Sequence, residues 1–205
     1  WTQQNSGTTA TIEGGKFTSL TCGIMTCSDG SILKTFNGGI NWSIQAISLS
    51  QSLNATCFAT SLVGWVVGAN GKIAKTTDGG VSWLDEASGT QRNLNAVAFT
   101  NVDTGWVGGD CGTIKRTTNG GMTWTDETSG TIQNLRSVCF ISSSHGYAVG
   151  LNNTILEYAA VHAVPIQLAS FVGTVLNAST VQLDWRTISE VNNYGFFVER
   201  STGSS

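Results

Sequence analysis

Five carboxylates, Asp103, Asp110, Asp126, Glu127 and Glu157, fall near predicted inter-strand loops. Paired, they would have the chemistry of glycoside hydrolysis, which needs two carboxyls about 5–10 Å apart. A sialoside would also call for an arginine cluster to hold its carboxylate. Arg92, Arg116 and Arg136 stand on different columns of the repeat instead. His145 and His162 are the only histidines, and the cysteines at 22, 27, 57, 111 and 139 lack zinc spacing. No nucleophile elbow, P-loop or metal triad is present. The expectation is therefore no metal and no cofactor, and a binding protein rather than an enzyme. Five cysteines is an odd number, so at least one thiol is unpaired within the chain. Cys22 and Cys27 are either a bridge or two free thiols.

The elements that must position these groups come from a repeat. Trp1, Trp42, Trp83 and Trp124 stand 41 residues apart, and so do Phe17, Phe58, Phe99 and Phe140. Ile32, Ile73, Ile114 and Ile155 form a third column, and Gly23, Gly64, Gly105 and Gly146 a fourth. Four columns on one pitch predict a β-propeller, in which a unit of this length is a four-stranded blade. Strands are predicted at 94–99 and 105–109, with counterparts at 53–58, 64–68, 135–140 and 146–150. A third strand starts at the Ile column and a fourth carries the Trp column. The dipeptides Asn37-Gly38, Asp78-Gly79 and Asn119-Gly120 supply positive φ for a tight hairpin between them. One sheet cannot cover both of its faces, so neighbouring sheets must stack on it.

The expected fold is all-β. It has four 41-residue four-stranded blades, or part of a larger ring, over residues 1–160. Residues 161–205 are expected to be a linker and the first strands of an immunoglobulin-like segment. Val181, Leu183 and Trp185 alternate as in a half-buried strand, and Tyr194 to Arg200 suggests another. The fourth unit lacks a Trp strand, whereas Trp1 to Thr8 matches Trp83 to Thr90 and Trp124 to Thr131 in phase. The N-terminal strand is thus expected to complete the last blade. The chain opens and stops in mid-pattern, as a piece of something longer does.

Three columns are candidate sites. Lys34, Lys75 and Arg116 form a basic column, with Glu157 in the last unit. It is either an arc for an anionic partner or a row of solvated strand ends. Trp65, Trp106 and Tyr147 share a column that either stacks on sugars or packs blade on blade. Asn37, Asp78 and Asn119 share a turn position, and because Asn cannot do acid–base work the expected role there is structural. With 11% charged residues and net charge −3, the chain has no basic run for nucleic acid, and no apolar run long enough to insert into a membrane.

The unit from Gly64-Trp65-Val66-Val67-Gly68 through Thr76-Thr77-Asp78-Gly79-Gly80-Val81-Ser82-Trp83 resembles the repeats of the photosystem II stability and assembly factor family, a family of seven-bladed propellers. Its Thr76-to-Trp83 segment also resembles the Asp-box of bacterial sialidases and xyloglucan-degrading glycoside hydrolases. Pro165 to Phe171, Val181 to Thr187 and Glu190 to Ser201 resemble the fibronectin type III-like module that precedes the sorting signal in type IX secretion substrates of Bacteroidota. These resemblances imply a secreted or cell-surface propeller that binds or adheres to protein or polysaccharide. Two alternatives stand beside that reading. One is a self-assembling surface protein that uses open sheet edges. The other is a glycoside hydrolase of the Asp-box type.

Overall fold

A computed structural model describes residues 1–45, 50–160, 168–177 and 180–187. The chain divides into two compact units, Trp1–Ala160 and Val161–Ser205. The first holds three four-stranded antiparallel sheets and one of three strands. Sheet one is β1 (Ile12–Phe17), β2 (Gly23–Cys27), β3 (Ile32–Thr35) and β4 (Ser43–Gln45). Sheet two is β5 (Leu53–Phe58), β6 (Gly64–Gly68), β7 (Ile73–Thr76) and β8 (Leu84–Glu86). Sheet three is β9 (Leu94–Phe99), β10 (Gly105–Gly109), β11 (Ile114–Thr117) and β12 (Thr125–Glu127). Sheet four is β13 (Leu135–Ser142), β14 (His145–Gly150) and β15 (Ile155–Ala159). Within each sheet the strands run in chain order as a meander.

The first strands β1, β5, β9 and β13 touch in succession, so the sheets fan out from an inner line. The core lies in layers between sheets. One layer is Ile24, Ile32, Leu53, Val66 and Ala74, with Phe58 and Trp83 against it. The next is Trp65, Val67, Ile73, Leu94, Val97 and Val107, with Phe99 and Trp124. The third is Ala96, Leu135, Val138 and Ala148, with Ile114, Phe140 and Leu156. Both faces of a middle sheet are covered, and β6 and β10 accordingly read as continuous buried runs.

The Gly column has a steric cause. Gly105 faces Phe99 across the β9–β10 pair, and a Cβ on it would meet the Phe99 ring at 2.6 Å. The bare backbone lets the ring lie flat and reach the preceding sheet. There it stacks on Trp65 at 3.4 Å between centroids and 4° between planes. Phe140 repeats this on Trp106 at 3.7 Å and 10°.

Two expectations need correction. The connection between third and fourth strands is a seven-residue loop (77–83 in sheet two) rather than a two-residue hairpin. Trp42, Trp83 and Trp124 stand one residue before the fourth strands, each packing its indole edge-on to a Phe of its own sheet. In addition, Trp1 to Thr8 adds no strand to sheet four, whose order is β13-β14-β15.

The second unit contains an antiparallel hairpin, β16 (Leu168–Asn177) and β17 (Thr180–Thr187). β17 contains the alternating segment of Val181, Leu183 and Trp185. The strand suggested at 194–200 lies outside the described residues. Among the described residues no helix is long and apolar enough to cross a membrane.

Candidate functional site

The Asn37, Asp78 and Asn119 positions are knots in the loop. Thr76 Oγ1 donates to Asp78 Oδ1 (2.8 Å) and accepts from Gly80 N–H (2.8 Å). Asp78 Oδ1 accepts from the N–H groups of Val81 and Ser82, both 2.9 Å. The Ser82 hydroxyl donates to Oδ2 at 2.5 Å. Asn119 and Asn37 make the corresponding bonds with Thr117 and Thr35. Hydrogen bonds from the Ser82 side chain and backbone hold the Asp78 carboxyl far below the usual carboxylate range. The two glycines that follow take φ of 72° and 84°, where a side chain would be strained.

The basic column is turned inward, contrary to both sequence readings. Lys34 is 4% exposed, and its Nζ donates to Gly79 O in the next sheet at 2.7 Å. Lys75 Nζ donates to Gly120 O at 2.8 Å. Each ammonium thus satisfies the carbonyl of the neighbouring Asp-box turn, and Lys75 also lies over Trp65. Lys34 and Lys75 are inter-sheet ties, not an arc open to an anionic partner. Arg116 lies over Trp106, 5.5 Å from the ring. Its Nε and Trp106 Nε1 are buried without a partner among the described residues. The position matching Gly120 in the fourth unit is 161, outside the described residues.

Trp65 and Trp106 are fully buried and offer no face to a sugar. Trp65 Nε1 donates to Gly120 O at 3.1 Å. Tyr147 differs, being exposed beside His145 and Glu157. The five carboxylates do not gather at one place. Asp110 lies at the inner-strand end, Asp126 pairs with Lys115 at 2.7 Å, and Glu127 and Glu157 line a cleft beside β15. All five cysteines are free thiols. Cys22 precedes the extended β2 and Cys27 ends it, so their Cα atoms lie about 16 Å apart, too far to bridge. Burial raises the Cys27 and Cys57 thiols above their ordinary range. Among the described residues no cluster could hold a metal ion.

A site the sequence reading passed over lies where the inner strands begin. Glu13, Asn54, Asn95 and Arg136 form a polar column on the same 41-residue pitch. They line a cavity of about 450 Å³ with Asn93, Asp110 and Asn134. Asn54 Nδ2 donates to Leu94 O at 2.9 Å, and Asn95 Nδ2 to Leu135 O at 2.9 Å. Each amide satisfies the first strand of the next sheet. Asp110 accepts from Asn93 and Asn95. The rim is locked by left-handed turns, as Asn70 N–H donates to Asn93 Oδ1 and Cys111 N–H to Asn134 Oδ1. Arg136 and Glu13 form no ion pair among the described residues. The cleft therefore presents one unpaired guanidinium, one unpaired carboxylate and an array of fixed amides. The signal that could have found it is the polar column itself.

Sheets fanned from a line of inner strands and tied by Thr-x-Asp/Asn-Gly-Gly turns define an all-β propeller of the Asp-box type. The family model described as photosynthesis system II assembly factor YCF48 matches residues 55–129. Among solved structures the chain is similar to YCF48 from Cyanidioschyzon merolae. The identity is 21% and the TM-score 0.64, over 74% of this chain and 51% of that one. A structure of YCF48 bound to D1 peptide is 22% identical with a TM-score of 0.59, over 80% of this chain and 57% of that one. An ancestral GH74 enzyme is 19% identical with a TM-score of 0.61, over 77% of this chain and 24% of that one. The chain spans about half the length of the two YCF48 structures. No curated protein matches it.

Proposed function

We propose that this propeller is a binding module, secreted or held at the cell surface, that grips an extended segment of another protein in the amide-lined cleft at the ends of the inner strands. The observation that carries the reading is Arg136, an unpaired guanidinium among fixed amides in a cavity of about 450 Å³. Amides match the donors and acceptors of a peptide backbone, and the guanidinium takes a carboxylate in a fork. Support also comes from the fold likeness to YCF48, one of whose structures holds a D1 peptide. The extracellular placement is supported by the sparsely charged surface and the resemblance of the tail.

The test is an array of short peptides, acidic and neutral, probed with the whole chain. Acidic peptides should be retained, and Arg136→Ala should weaken retention about tenfold or more, since a charged hydrogen bond contributes about 1.5–3 kcal/mol. Retention of β-glucans in place of peptides would sink the peptide reading in favour of a polysaccharide. A glycoside hydrolase is the weaker reading, supported by the fold likeness to the GH74 enzyme. Turnover of chromogenic β-glucans would establish it. Detection of the protein only inside its source cells would remove the extracellular placement. Self-association through open sheet edges is a separate reading and rests on β15, the edge strand of sheet four among the described residues.

A further inference from the structure

Every inner strand carries the same break in its pairing. Between β1 and β2 the register steps from Ile12↔Cys27 to Gly14↔Thr26 and passes over Glu13. The β5–β6 pair passes over Asn54, the β9–β10 pair over Asn95 and the β13–β14 pair over Arg136. Each of these four is the extra residue of a β-bulge, which bends its strand and turns one side chain out of the ladder. Bulges on the 41-residue pitch therefore set Glu13, Asn54, Asn95 and Arg136 along the polar cleft as an arc, one from each sheet.

The fold uses the middle of this arc and leaves its ends free. Asn54 and Asn95 commit their amide N–H groups to the carbonyls of Leu94 and Leu135 in the next sheets. A carboxylate has no proton to donate, so Glu13 cannot make the matching bond to Leu53 O. Glu13 and Arg136 are both exposed, and neither forms an ion pair among the described residues. The remaining hydrogen-bonding capacity follows the charge. Towards Glu13 it is acceptor-rich, because the side-chain oxygens of Asn54 and Asn95 each take one bond and keep a second lone pair. Towards Arg136 it is donor-rich, because Asn134 gives its oxygen to Cys111 N–H and turns its Nδ2 beside the guanidinium's own donors into the cleft. Amides occupy both oxygens of Asp110, but its charge stays. Two carboxylates thus face one guanidinium, and a purely anionic ligand would meet repulsion over most of the arc.

We propose that the cleft takes a bipolar segment: an extended peptide with a cationic side chain at the Glu13 end and an anionic one at the Arg136 end. The proposal rests on the peptide-binding reading and narrows it, since acidity alone no longer defines the partner. Charges of opposite sign at the two ends of an arc do what two like charges cannot. They set the direction of the bound chain, because the reversed segment would place cation on Arg136 and anion on Glu13. They also reject like-charged competitors, since a like-charge contact at an interface is strongly unfavourable. Glu13 and Arg136 line the same cavity without pairing with each other, so both charges are kept for the ligand.

The test is fluorescence anisotropy of short labelled peptides titrated with the whole chain. Both termini are capped, so that side chains carry the only charges. One set has Lys at one end and Asp at the other, in both orders, with uncharged residues between. The other sets have Asp at both ends or Lys at both ends. One order of the bipolar peptide should bind about tenfold more tightly than either like-charged peptide. That margin should shrink as salt rises from about 0.05 to about 0.5 M. Glu13→Gln should bring the Asp–Asp peptide level with the bipolar one, and Arg136→Gln should do so for the Lys–Lys peptide. Circular dichroism should stay unchanged in both variants, whose altered side chains are exposed. Equal binding of the Asp–Asp and bipolar peptides by the wild type would overturn the proposal and leave the peptide-binding reading standing. So would a margin that survives Glu13→Gln. Binding of no peptide in any set would bring down that reading and the proposal with it.

Discussion

Asp78 is a carboxylate whose work is to fasten a loop. Its ionised form is favoured in the fold by the Ser82 and Val81 bonds, which lower its pKa. A depressed carboxyl contributes stability above its unfolded value, near 3.8, and loses that contribution as pH falls through the folded value. Asp78→Asn should therefore keep the fold, as Asn37 and Asn119 do in sister turns. The melting-temperature gap between wild type and this variant should narrow as pH is lowered from 7 toward 3. A constant gap would mean that the charge contributes nothing. Asp78→Ala, which removes the acceptors for Val81 and Ser82, should be the more destabilised of the two. The role of this residue was legible in the sequence because Asn recurs at the same column. The role of Lys75 was not. Its partner Gly120 lies 45 residues on, off the 41-residue pitch that makes the columns visible, so no count of spacings links them.

At the scale of the sheet, the stacked pair of Trp65 and Phe99 is the joint between units two and three. Trp65→Ala should cost about 3–5 kcal/mol, as large-to-small changes of a buried aromatic do, read from denaturant midpoints. Gly105→Ala acts on the same joint from the other side. A methyl 2.6 Å from the Phe99 ring must displace it, at about 1–3 kcal/mol for overpacking. A neutral result would show that the ring yields freely. Lys75→Met should cost about 1–3 kcal/mol, because Gly120 O loses a charged donor while keeping the indole N–H of Trp65. The strands β5, β6, β9 and β10 were readable from their apolar residues and the Gly boundaries. The fourth strands were announced by the Trp column but not bounded by it, because Ser43–Gln45, Leu84–Glu86 and Thr125–Glu127 are exposed for two of their three residues and have no buried face to print a pattern. The amide cleft escaped for a similar reason. A polar column on an inner strand looks like any solvated face until the Asn54 and Asn95 bonds to the next sheet are known.

Across the whole molecule, covalent cross-links play no part within the chain, since all five thiols are free. A reducing agent should leave the melting temperature unchanged, and a fall would reveal a bridge. Cohesion comes from side chains passed from each sheet to the next: Lys34 to Gly79, Asn54 to Leu94, Lys75 to Gly120, Asn95 to Leu135. In such an array the free energy of any one sheet is shared with its two neighbours. Amide hydrogen exchange should consequently run as a gradient, slowest in β6 and β10 and fastest in β14 and β15, which among the described residues pack against a neighbouring sheet on one side only. The hand-to-hand ties thus make the four sheets behave as a zipper, in which whatever steadies sheet four slows the opening of every sheet behind it.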